Sequence, residues 1–118
     1  MASVTITPVK GAEGADLHNL GMLSALVADI KLTGTLGATG DVVDFTPFFK
    51  TIGNGDVYFV SIPPVAGYSF EYDISTGKLS IYYGDNNNAS DGPLIILGAV
   101  TVPTTIDDGN IRAFVLGR

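Results

Sequence analysis

Cysteine and tryptophan are absent from this chain, histidine occurs once, and lysine and arginine together number six in 118 residues. Each scarcity closes a route. Without cysteine there is neither a disulfide nor a thiolate, and the redox compartment leaves no mark on the sequence. Zinc needs several His or Cys ligands, and His18 stands alone. A Ser-His-Asp set would have to use the same His18, which lies in a stretch without periodicity, and no G-x-S-x-G elbow occurs. The few basic residues are scattered and the formal net charge is −6, so neither a phosphate backbone nor an anionic membrane surface finds a partner. Apolar runs such as residues 93–100 fall far short of the ~20 residues that span a bilayer. Residues 1–5 (MASVT) lack the basic start and apolar run of a signal peptide, which sets the expectation of a soluble protein made in the cytoplasm.

What the chain does contain is glycine, at 15 residues about twice ordinary usage, and many β-branched side chains. That mixture favours strands and tight turns over helices. The plainest strand signal is residues 67–85 (GYSFEYDISTGKLSIYYGD). Tyr68, Phe70, Tyr72 and Ile74 alternate with Ser69, Glu71 and Asp73, and Leu79, Ile81 and Tyr83 alternate with Lys78, Ser80 and Tyr82. A period of two is what a half-buried strand requires, because successive side chains leave the pleat on opposite sides. Ser75-Thr76-Gly77 reads as the hairpin loop, with Gly77 free to take positive φ.

Other segments follow the same reading. Residues 3–9 alternate and stop at Pro8, residues 10–19 have no period, and residues 24–33 read as a strand. Residues 42–51 begin as a strand, and Pro47 can open one helical turn with Thr46 as its cap. The near-continuous apolar run at residues 57–62 (VYFVSI) predicts a strand buried on both faces. Residues 94–97 and 100–103 are short apolar pieces, and residues 111–116 close the chain as a strand. Together these predict an all-β protein: one β-sandwich or β-barrel, jelly-roll-like, with about seven or eight short strands. Residues 1–20 read as an extended N-terminal arm with a first strand, and residues 21–118 as the single β domain.

Few residues carry catalytic chemistry. Glu71 and Asp73 share one strand face, a spacing open to a glycosidase or a hard cation, but also the ordinary solvated face of a hairpin beside Lys78. The Asp85–Asp91 segment offers oxygen ligands for Ca²⁺ without the spacing of a calcium loop, and an Asn-rich turn explains it with less effort. No cofactor and no enzymatic activity are expected. Tyr82 faces away from Leu79, Ile81 and Tyr83; if those line the core, it is available to a partner.

Charged residues are only 15% of the chain and hydrophobic ones 46%, thin cover for a free monomer. The expectation is that part of the apolar surface is buried against other subunits, the alternative being an exposed face of Thr, Ser, Asn and Gly. The ADLHNLG segment at residues 15–21, VADI at 27–30, the hairpin at 68–83 and RAFVLGR at 112–118 together resemble a family of tailed-bacteriophage virion proteins, the head decoration or cement proteins. The resemblance implies an all-β module, commonly a homotrimer, that binds the major capsid protein on the outside of the head and clamps neighbouring capsomers. Its place would be the virion surface. Candidate contacts are Val4, Ile6, His18, Leu20 and Met22 in and beside the arm, Phe48 and Phe49 after Pro47, and Tyr82. Two other readings compete: a carbohydrate-binding or fibre-associated module using the tyrosine face, and a tail-tube or connector protein that forms rings.

Overall fold

A computed structural model describes residues 2–9, 17–20, 22–51, 53–84, 95–107 and 111–118. Its spine is β3 (Leu23–Thr33), the longest strand among the described residues. Ser24, Leu26, Ala28, Ile30 and Leu32 point inward from it, while Lys31 and Thr33 on the other side are exposed. The terminal strand β9 (Ile111–Gly117) pairs antiparallel with β3 from Ser24↔Gly117 to Ile30↔Ile111. Ile111, Ala113 and Val115 thereby join the same inner face.

The opposite edge of β3 is covered twice. β1 (Ser3–Pro8) runs along residues 33 to 28, and β2 (Leu17–Leu20) takes over along residues 26 to 23. Pro8 ends its strand on an outer edge, where a missing N–H costs no ladder bond. The first strand expected within residues 1–20 is present as β1, and the described parts of that segment are built into the domain's own sheet. They pair with β3 on one side only, and no strand covers their outer side among the described residues. β5 (Val57–Ser61) completes this sheet on the far side of β9, with a register shift between Val57 and Phe59.

A second antiparallel sheet centres on β7 (Lys78–Tyr83). It pairs on one side with β6 (Ser69–Asp73), from Ser69↔Tyr82 to Asp73↔Lys78. Its other edge is again shared, by β4 (Asp41–Val42) at one end and β8 (Ile95–Ile96) at the other. The hairpin is thus present as expected, with a loop of residues 74–77, one residue longer than anticipated. Ile74 has left the ladder and is 48% exposed. Gly77 closes the turn at φ +70, its N–H donating to the Asp73 carbonyl at 2.7 Å.

The protein is therefore all-β, two antiparallel sheets on one core, with a single short helix, α1 (Thr46–Lys50), among the described residues. Phe45 and Phe49 flank and fill that helix and are wholly buried beside Leu26, Ile30, Val115 and Ile81. Burying each phenylalanine contributes roughly 1.5–3 kcal/mol. The helix is not capped by Thr46. Phe45 holds the cap position without a side-chain bond, and the Asp44 carboxylate accepts instead from the Thr46 N–H (3.0 Å) and hydroxyl (2.7 Å).

Two polar contacts lock the connections. Asp41, only 2% exposed, accepts from the Ala2 N–H at 2.9 Å and the Gly37 N–H at 3.1 Å. The Tyr72 hydroxyl donates to the Val43 carbonyl at 2.6 Å, tying the hairpin to the segment leading into α1.

Candidate binding surfaces

Because side chains alternate along a strand, each sheet has an outer face, and the two differ in chemistry. On the first sheet the pairing aligns rows across the strands. His18, Ala25, Leu116 and Phe59 form one row, and Val27, Phe114 and Ser61 the next. Asp29 and Arg112 form a third, joined by bonds of 2.8 and 3.2 Å, and the carboxylate holds the guanidinium further above its ordinary range. Phe59 is 50% exposed and Phe114 40%, with Leu23 and Met22 open at the same end of β3. An apolar stripe therefore crosses three strands and stops at an ion pair. On its border the Nε2 atom of His18 is buried without a hydrogen-bond partner among the described residues.

The expected contact residues divide sharply. Met22 is the most exposed of the large apolar side chains among the described residues. His18 lies on the outer face opposite Ala25, and Leu20 opposite Leu23, its side chain lying outside the described residues. Val4 and Ile6 sit opposite Leu32 and Ile30, whose side chains face inward, and pack half-buried against the core. Phe48 likewise packs on the core. Phe49 is fully buried and is not a surface residue at all. Its ring lies so close to the Gly117 backbone that a Cβ there would come within 2.8 Å, so α1 uses it as a plug. Nothing in the Pro-Phe-Phe spelling distinguishes the plug from its neighbour.

Phe59 and Phe114, both exposed, are not among the expected contact residues. Alternation already separates Phe114 and Leu116 from Ile111, Ala113 and Val115, so their outward face was legible. Phe59 was hidden by the expectation that residues 57–62 are buried on both sides. β5 is in fact an edge strand: no partner covers its outer side among the described residues, and Tyr58, at the register shift, is also 50% exposed.

The outer face of the second sheet is polar. The cross-strand pairs Asp73–Lys78, Glu71–Ser80 and Ser69–Tyr82 line it in succession from the turn outward. The loop carrying Thr39 rises beside β7, made possible by Gly40 at φ +104, where a Cβ would meet the Ser80 hydroxyl at 2.8 Å. Thr39 on that loop and Thr76 on the turn wall in a cleft of about 250 Å³ over the strand pairs. The Lys78 ammonium reaches the Thr39 hydroxyl at 3.5 Å. Asp73 is kept ionised below its usual range by bonds from Ser75, first the hydroxyl and then the N–H. Tyr82 is here, on the face away from Leu79 and Ile81, as its alternation requires.

No cluster of three or more His, Cys, Asp or Glu side chains able to hold a metal occurs among the described residues, and the Asp85–Asp91 segment lies outside them. No helix among them is long and apolar enough to cross a membrane. No protein-family model, curated protein or solved structure matches this chain.

Proposed function

We propose that this chain is a virion structural protein of a tailed bacteriophage, a decoration or cement protein that seats on the outside of the head and clamps neighbouring copies of the major capsid protein. The observation that carries the reading is the apolar stripe of Val27, Phe59, Phe114 and Leu116, on a sheet face whose charges Asp29, Lys31 and Arg112 all lie to one side of it. Contiguous exposed apolar surface of this kind belongs to an interface, where charged residues are depleted.

The magnitude favours a lattice over an isolated contact. Phe59 and Phe114 are already about half buried, so covering the remainder contributes on the order of 1 kcal/mol each. A few such side chains cannot offset the cost of immobilising a free protein. Several copies joined as a homotrimer around a lattice axis can, because the second and third contacts form at high effective concentration. Differential affinity for the assembled shell then stabilises the head. This reading needs no cofactor, catalysis, nucleic acid or membrane.

The test is co-sedimentation with expanded heads of the phage that encodes the chain, together with the solution mass from light scattering. Wild-type protein sediments with heads and raises their thermal stability, whereas Phe59→Ser with Phe114→Ser weakens binding at least about tenfold and stays folded. Equal binding by the double variant removes the stripe from the mechanism. A hexameric ring that ignores heads shifts the assignment to the tail.

A further inference from the structure

The polar cleft over β6 and β7 takes no part in that interface, and its lining selects a ligand class. Two carboxylates, Glu71 and Asp73, stand against one ammonium, Lys78. The excess negative charge disfavours phosphate, sulfate or an acidic sugar. A hard divalent cation is disfavoured as well, because Lys78 lies in the cleft and a third acidic or imidazole ligand is lacking among the described residues. What remains is a neutral molecule that both gives and takes hydrogen bonds.

The groups are disposed for that. Glu71 is exposed and makes no hydrogen bond or ion pair among the described residues, leaving both oxygens free to accept from adjacent hydroxyls. Ser80 directly across the ladder, Thr39 on the wall and Lys78 supply donors. Tyr82 closes the end away from the turn with an aromatic ring beside a polar floor. At about 250 Å³ the cleft lies below the roughly 300–1,000 Å³ typical of sites for drug-sized ligands, a size for one ring and not a long chain. Asp73 is already occupied by Ser75, so it shapes the field without being the main acceptor.

We infer that this cleft is a binding site for a single neutral sugar residue of a glycan, with Glu71 accepting from vicinal hydroxyls and Tyr82 packing on the sugar's apolar face. The inference is independent of the capsid reading, since the cleft and the stripe lie on different sheets.

Two-dimensional amide NMR of the full chain, titrated with glucose, galactose, mannose, rhamnose and N-acetylglucosamine, tests it, with sodium sulfate and calcium chloride titrated in parallel. At least one sugar shifts the Glu71, Ser80 and Tyr82 resonances saturably in the millimolar range. Tyr82→Ala and Glu71→Gln each weaken that binding at least about tenfold, while Tyr82→Phe, which keeps the ring, changes it less than about threefold. Unperturbed spectra at tens of millimolar of every sugar overturn the inference. So does a sugar response that survives both Tyr82→Ala and Glu71→Gln, or saturation by calcium or sulfate in place of sugar.

Discussion

Removing one oxygen from Tyr72 tests how the second sheet is tied to the helix segment. Its hydroxyl donates to the Val43 carbonyl at 2.6 Å, and its ring lies 5.5 Å from that of Phe45 at a tilt of 48°. Tyr72→Phe keeps the ring contact and leaves the carbonyl of a fully buried residue short of a partner. The expected loss near neutral pH is about 1–2 kcal/mol. Alkaline pH supplies an independent reading. Burial first, and the nearby Asp44 carboxylate second, push the Tyr72 pKa from 10.0 up to about 12. The unfolded chain therefore releases this proton earlier than the folded one. The stabilisation is complete below pH 10 and disappears as pH climbs to about 12. A full two-unit shift would correspond to about 2.7 kcal/mol, and partial solvent screening of a half-buried group reduces it to roughly 1–2. Urea unfolding of both proteins across this pH range should show the wild-type advantage shrinking towards zero, with the slope m unchanged. An advantage that stays constant from neutrality to pH 12 would refute the assigned cause, and a variant as stable as wild type would refute the bond itself. Asp44→Asn should lower the pH at which the fading is complete, because it lowers the folded pKa and leaves the start of the fading, set by the unfolded chain, where it was.

Three further substitutions probe the scaffold. Asp41→Ala leaves the Ala2 and Gly37 N–H groups without their acceptor and should cost about 2–4 kcal/mol in urea unfolding, whereas Asp41→Asn, which keeps one oxygen, should cost about half as much. Gly117→Ala drives a methyl group into the Asp56 carbonyl and the Phe49 ring, so a loss of at least about 2 kcal/mol, with a changed near-ultraviolet aromatic signal, is expected. Ala66 sits at φ +52 beside Gly67 at +85, in a tight turn closed by reciprocal Val65–Tyr68 bonds, so Ala66→Asn should raise the thermal midpoint through about 0.5–1 kcal/mol of relieved strain.

The strands that a reader of the bare sequence finds are those with an alternating pattern and a nearby turn signal. The hairpin emerges as residues 69–73 and 78–83 against an expectation of 68–74 and 78–83. The long strand begins at Leu23 where 24 was expected, and the last one runs a single residue further, to Gly117. Periodicity reports how one strand sits between core and solvent, and it says nothing of who its neighbours are. For that reason residues 57–61, apolar except for Ser61, read as a central strand and are an edge. For the same reason the strand at residues 3–8 is legible, but its place beside residues 17–20 along the rim of β3 is not. The helix start misled on a finer scale, because a carboxylate two residues upstream outcompeted the hydroxyl at the expected cap. At the surfaces, Tyr82 and the Glu71–Asp73 pair were visible from alternation alone. The cleft above them was not, since its wall comes from residue 39, brought alongside β7 only by the fold.

The division of chemistry between the two outer faces bears on how the proposals combine. Both sheets spend their inner faces on one core, so the faces left over belong to different layers of the domain. The apolar stripe consists of side chains from β3, β5 and β9, and the cleft of side chains from β6, β7 and the two adjoining loops, with no residue in common. Substitutions at separated sites without shared partners add nearly independently. A protein seated through Phe59 and Phe114 therefore keeps Glu71 and Tyr82 open to solvent. Head binding should be unaffected by saturating sugar, and sugar affinity should be the same on the head as in solution. If sugar instead displaces the protein from heads, the two faces compete for one surface, and the cleft, not the stripe, is where the capsid binds.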